Sequence, residues 1–416
     1  MALTSLFTAV SGINSFGNAL SVTGNNIANV STVGFKSSKA TFADLVTGSL
    51  GGAAAGNQIG RGVFTGAILN NFTQGALSTS ANGLDLAVDG NGFFLVRDNS
   101  GAAFYTRAGQ FRVDASGRVV DPSGNFLQGY QANNAGALSG TLSTVTLTNS
   151  VSSPQISTAA TVAANLNAAS TVPSGAFSTT DPTTYNFATS LTVYDSLGAS
   201  HTTTLYFRKT GAGAWDMHHR LDGLTGTTSG GSAANPVPLT FDSAGALLTP
   251  ATAPVLNYTA AQVGNNAGAL ALALTLSSIT QFGSPNAVSG VTQNGFAAGS
   301  LASTSIDTSG VITGRFTNGQ VRTLAQVALS RFPSPDNLSR NGRNLLLETS
   351  TSGQPTTTPA NTGGVGRVLS GSLELSNVDL GEEFIDMISA QRGFQANSRV
   401  ITTTDELLQE LVNLKR

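Results

Sequence analysis

The chain has no cysteine among its 416 residues, which excludes disulfides, thiolate zinc sites and a cysteine nucleophile. Only His201, His218 and His219 can supply imidazole, so metal and triad chemistry are short of parts. Charged residues make up 10% of the chain, against about 25% in an ordinary globular domain. With 20 basic and 22 acidic side chains the net charge is -2, so no global field gathers nucleic acid or an anionic membrane surface. No run of about 18 uncharged apolar residues exists, because Asn, Ser, Thr and Gly interrupt every candidate; a soluble chain without membrane insertion is expected. The first charged side chain is Lys36, so the N-terminus lacks the basic start and compact apolar run of a cleaved secretory signal. Export would need another route.

What is present is organised by position. The length suits two to four domains. From the N-terminus two heptad rows run together: Leu3, Val10, Gly17 and Gly24 in one, Leu6, Ile13, Leu20 and Ile27 in the other. The C-terminal end answers with Leu380, Met387, Phe394, Ile401 and Leu408, thickened by Phe384, Ile388, Leu411 and Val412. Ser376 and Asp379 form a helix start signal, Glu382, Glu383 and Asp386 suit the positive end of the dipole, and Lys415 with Arg416 suit the negative end. Each helix would be roughly 40 to 50 Å long at 1.5 Å per residue. The rows exceed what polar β domains on Gly-rich connectors can bury. Burial against other copies is therefore favoured over a purely internal hairpin, with helices that gain their order on assembly.

Between the ends the pattern changes to short β runs punctuated by Asn-Gly, Asp-Gly and Ser-Gly, as in 84–88, 92–96, 110–113 and 118–120. A second group spans 190–194, 202–208, 239–241, 247–249 and the alternating Leu270, Leu272, Leu274 and Leu276. A third, 304–306, 311–316, 323–329 and 344–348, completes the first. The expected fold is mainly β with two long terminal helices, nested β domains lying between helices that pack as a coiled-coil-like inner layer. The expected division is a terminal helical polymerisation domain of 1–35 plus 376–416, and a connector of 36–70 plus 364–375. An inner β domain covers 71–150 plus 285–363, and an outer inserted β domain covers 151–284.

Candidate chemistry is sparse. On a helix Glu382 and Glu383 point about 100° apart, so capping explains them better than catalysis. His218 and His219 fall on opposite faces of a strand, which makes a shared metal awkward even with Asp216 and Trp215 beside them. The loops Asp89-Gly90-Asn91-Gly92 and Gly363-Gly364-Val365-Gly366 lack the phosphate-loop pattern, and Asp114-Ala115-Ser116-Gly117 lacks calcium-loop spacing. No constellation is catalytic and no cofactor is implied. The competing class is a secreted adhesin or glycan-binding module, for which one Trp and six Tyr offer little platform.

The segment NNIANVSTVGFK, with Asn25, Asn26, Asn29, Gly34, Phe35 and Lys36, resembles the N-terminal signature of the bacterial flagellar rod and hook family. Ser31 stands where Asn is commoner. The resemblance continues through TFADL (41–45), QIGRGV (58–63), NFTQGAL (71–77), LDLAVDGNGFFLV (84–96) and YTRAGQF (105–111). It resumes in GSLELSNVDLGEEFIDMISAQRGFQANSRVITTTDELLQEL (371–411). LTVYDSLGASHTTTLYFRK (191–209), Trp215 and LTFDSAGALL (239–248) look like the extra domain of hook-type members, which favours hook over the shorter distal rod subunit. The resemblance implies an extracellular homo-polymer, a curved tube joining rod to filament and passing torque. It also implies export through the flagellar type III apparatus, and contacts with the hook cap, distal rod and hook-filament junction proteins.

Overall fold

One four-residue turn builds many of the hairpins. It recurs at Asp98–Gly101, Asp114–Gly117, Asp121–Gly124, Asp195–Gly198, Asp242–Gly245 and Asp307–Gly310, where the glycine N–H donates to the aspartate carbonyl. Each of these glycines takes positive φ, which only a residue without Cβ adopts freely. The aspartate side chain then accepts the N–H groups two and four residues on, as Asp98 does from Ser100 and Ala102 and Asp242 from Ala244 and Ala246. A type I turn closed by a left-handed glycine is a standard three-residue hairpin loop. The Asp114 loop is one of these turns.

This computed structural model describes residues 2–46, 60–133, 135–147, 151–229 and 236–413. Most of the Gly/Ala-rich connector, and Lys415 with Arg416 at the helix end, lie outside the described residues. So do the side chains of Leu3, Leu411 and Val412. Two compact units are present: Met1–Asn149 with Ser303–Gly314 and Val321–Arg416, and Ser150–Ala302 with Arg315–Gln320.

The first unit is built on an antiparallel sheet. The strand Phe93–Arg97 pairs with Ala103–Thr106, with Phe126–Ala132 and with Val321–Arg331. Phe93, Leu95, Tyr105, Phe332, Leu338 and Leu346 form one core cluster under it. Two short ladders, Leu77–Thr79 with Ser372–Glu374 and Leu86–Asp89 with Arg367–Ser370, bring the last part of the chain back beside the first. A long hairpin of β1 (Ser38–Val46) and β2 (Gly60–Asn70) leads away from helix α1 (Ala2–Ala28). Helix α2 (Leu380–Asn413) ends the described chain and packs against α1.

The second unit has two sheets sharing a core. One is centred on Ala159–Asn167, parallel to Leu270–Thr275 and Ile279–Phe282. The other runs through Phe187–Tyr194, Ser200–Gly211, Ala214–Leu221 and Val237–Phe241. Inward residues alternate strictly, so Leu205, Phe207, Trp215 and Met217 face Leu256, Leu272 and Leu274 in one cluster. The expected mainly β chain with a long helix at each end is found.

Candidate assembly surface

Helices α1 and α2 pair within one chain. Two glycines let larger side chains of the other helix come close, and several small residues on the helices are buried. Ala9, Ser15, Thr23 and Asn26 of α1 are buried, as are Ala390 and Thr404 of α2. A Cβ on Gly12 would lie 2.7 Å from the Asn397 side chain, and one on Gly393 would lie 2.6 Å from the Phe16 ring. Side-chain size at a helix contact sets how near the axes come, so this face permits an approach that Leu and Ile would prevent. The sequence favours burial against other copies over a purely internal hairpin, and within one chain the two helices do pair.

The hairpin covers a second face of α1. Ser11 Oγ accepts from Val63 N–H at 3.2 Å, Asn18 Nδ2 donates to Thr65 Oγ1 at 3.1 Å, and the Phe16 and Phe42 rings lie 5.7 Å apart. The rows run beside these contacts and stay partly open. Leu6, Ile13, Leu20 and Ile27 are half-buried and Val10 is exposed. On α2, Met387, Ile401 and Leu408 are half-buried, while Leu380, Phe384, Ile388 and Phe394 are exposed. None of the described row residues is fully buried. The sequence reading missed Phe7 and Ile385, exposed at 68% and 66%, and the hairpin's exposed Phe42, Phe64, Ile68 and Leu69. Their signal was present as apolar residues outside the seven-residue rows, but a heptad template discards them. Exposed large apolar side chains on the helices and the hairpin are of the kind that marks association.

The signature residues form the junction at the foot of the helix pair. Asn29 Nδ2 donates to the Asn25 carbonyl at 2.9 Å, closing the end of α1. Asn26, deeply buried, clasps the backbone of Ser38 from both sides: Oδ1 accepts its N–H at 3.0 Å and Nδ2 donates to its carbonyl at 2.8 Å. The same amide donates to Glu383 Oε1 at 2.7 Å. Burial pushes the Glu383 carboxyl up, with the Asn26 bond opposing. Glu383 thus ties α2 to α1, while the cap is Asp379, whose Oδ1 accepts from Gly381 at 2.7 Å. The helix begins after Asp379, not after Ser376, because Ser376 Oγ accepts instead from Val378.

Gly34 has φ +70, and a Cβ there would lie 2.4 Å from the Ala108 backbone nitrogen. Its N–H donates to the Glu374 carbonyl at 2.7 Å. Phe35 is buried beneath the Arg340 guanidinium, 5.2 Å from its ring centre. Lys36 Nζ donates to Glu374 Oε1 at 2.5 Å and to the Thr73 carbonyl at 2.7 Å. Arg107 Nη1 lies 3.2 Å from Glu374 Oε2. Burial holds Lys36 below its ordinary range against the pull of Glu374, with Arg107 adding to the depression. Arg107 is lowered by burial as well. The junction is an electrostatic clasp joining both ends of the chain.

In the second unit His218 stacks on Phe177 at 3.7 Å. His219 lies on the opposite strand face, between the Tyr258 hydroxyl at 2.7 Å and Thr228 Oγ1 at 2.9 Å. Among the described residues no group of three or more His, Asp or Glu is placed to hold a metal. His201 is held by Asp222 at 2.7 Å and Asp195 at 3.3 Å. Trp215 is buried in the core, which removes it from any surface platform. No helix among the described residues is long and apolar enough to cross a membrane.

Comparison with known proteins gives the class first. Profiles of flagellar rod and hook proteins match along the chain: "Flagella basal body rod protein" over 6–36, "Flagellar hook protein FlgE/F/G D1 domain" over 87–164, "Flagellar basal body protein FlaE D2 domain" over 165–296 and "Flagellar basal body rod FlgEFG protein C-terminal" over 369–414. The flagellar hook protein FlgE of Salmonella typhimurium is 36% identical over 98% of this chain and 99% of its own length. That of Escherichia coli K12 is 35% identical with the same coverages. The chain belongs to the flagellar hook protein FlgE family. The crystal structure of Helicobacter pylori flagellar hook protein FlgE2 aligns with a TM-score of 0.48 at 14% identity, covering 70% of this chain and 98% of that one.

Proposed function

We propose that this chain is the structural subunit of the bacterial flagellar hook, assembling with further copies into a curved flexible tube that carries torque from rod to filament. The observation that carries the reading is the apolar surface left on the α1–α2 pair and the hairpin in a chain related end to end to flagellar hook proteins. In the tube, Leu6, Ile13, Leu20, Ile27 and the α2 row from Leu380 to Leu408 line a coiled-coil-like inner layer between subunits. Dry close packing there resists twist. The parts rich in Ser, Thr, Asn and Gly make contacts that water can replace as the tube bends.

The proposed division keeps 1–35 plus 376–416 as the polymerisation domain, 36–70 plus 364–375 as connector, 71–150 plus 285–363 as inner domain and 151–284 as outer domain. The subunit leaves the cell through the flagellar type III apparatus and meets the hook cap, the distal rod and the hook-filament junction proteins. Nucleic acid has no part in it. Electron microscopy of the concentrated purified protein is the test. Hollow fibres of uniform width are expected, whereas persistent monomers under varied salt refute the assignment.

A further inference from the structure

Beside the junction, in the first unit, lies a cavity of about 290 Å³. Lys36, Arg107, Arg340 and Arg343 line it, together with Asn25 and Asn29, and no carboxylate residue lines it. The charges behind its wall do not balance. Among the described residues Glu374 is the ion-pair partner of both Lys36 and Arg107, and all three side chains are at most 5% exposed. The buried set therefore keeps one positive charge in excess.

Glu374 carries one negative charge and already shares it. Its Oε1 accepts from Lys36 and from the Gly75 N–H, and its Oε2 from Arg107. Arg107 spends Nη1 and Nη2 on Glu374, the Val88 carbonyl and the Gly90 carbonyl, while its buried Nε has no acceptor. Arg340 donates to neutral acceptors, the Lys36 carbonyl and the Asn70 side chain, and has no ion-pair partner among the described residues. Arg343 is exposed beside them and has no ion-pair partner among the described residues. A buried donor without acceptor carries its full desolvation penalty, and an excess of buried charge is costlier still. Several guanidinium forks around one cavity suit a planar or tetrahedral oxyanion.

We infer that this cavity is an oxyanion site that takes a carboxylate or phosphate-class group against Arg343, Arg340 and Arg107. The group has two sources with one chemistry: a free anion, or an acidic side chain of a second copy of this chain. Binding by the dispersed full-length chain does not depend on the polymer reading.

The test titrates inorganic phosphate into the dispersed full chain at constant ionic strength, with chloride as the balancing salt, and follows heat and melting temperature. Saturable phosphate binding is expected, weakened at least fivefold in Arg343→Gln and largely kept in Arg343→Lys. Absence of saturable binding overturns the site, as does binding that Arg343→Gln leaves unchanged, which marks an adventitious ion only. A second arm follows fibre growth. If a neighbour's carboxylate fills the site, phosphate slows growth of the wild type more than of Arg343→Gln. If a free anion fills it, phosphate binds without slowing growth.

Discussion

Lys36 and Glu374, separated by 338 positions in sequence, meet at 2.5 Å with side chains 5% and 0% exposed. Their meeting holds the end of the first helical segment against the strand that leads to the last helix. A clasp of this kind adds little net stability while intact, because both charges lose their water. Breaking one side is expensive.

Glu374→Gln should therefore destabilise the first unit by about 3 kcal/mol, since Lys36 and Arg107 would remain buried without a counter-charge. Calorimetry of the full chain should show the transition of this unit moving down while that of the second unit stays. A shift below about 1 kcal/mol would mean the clasp is not what joins the ends.

The close approach of the helices and the aliphatic rows can be probed by different mutations. Gly393→Leu places a side chain where Phe16 packs, and Gly12→Leu does the same at Asn397, so either should loosen the helix pair and lower helical circular dichroism. Ile13→Asp, at a half-buried row position, and Phe394→Asp, at an exposed one, should abolish fibres while leaving the β units folded. Normal fibres from both aspartate variants would remove the rows from the assembly surface.

Gly34→Ala should cost about 2 kcal/mol or more, combining a left-handed backbone that alanine resists with a clash against the Ala108 backbone. Thermal melting measures it. Gly17→Ala, where a Cβ meets nothing, should instead be neutral or mildly stabilising, near 1 kcal/mol at most, because Gly is the weaker helix former.

Acid should weaken the second unit. Burial pushes His218 down to about 4, helped by Arg208 and Arg220, and burial with His218 and Arg220 beside it pushes His219 to about 4. Between that value and the ordinary 6.5 the unfolded chain binds more protons than the folded one, so stability falls as pH drops through the window. For His201 burial alone would lower the value, but Asp222 and Asp195 outweigh it and hold the ring above its ordinary range. Its contribution is full below the unfolded value and is lost as pH rises through the folded one. Melting curves from pH 7.5 to 4 should show a loss on the acid side that His218→Gln reduces and His201→Asn steepens. A flat profile for the wild type would contradict the burial of both rings.

Sequence alone determined the elements whose cause is local. The Asp-x-x-Gly turns are legible because an acidic side chain and a left-handed glycine close a hairpin without outside help. The β runs between them, the two terminal helices and the kinship carried by Asn25 to Lys36 are legible for the same reason. Only tertiary structure decided which face of α1 meets α2. A seven-residue row of large aliphatics advertises itself, whereas the close approach at Gly12 and Gly393 reveals itself only when two backbones are seen side by side. Nor could spacing announce that Lys36, Arg107 and Glu374 share one buried site, because attraction between charges depends on distance through space and not on separation along the chain.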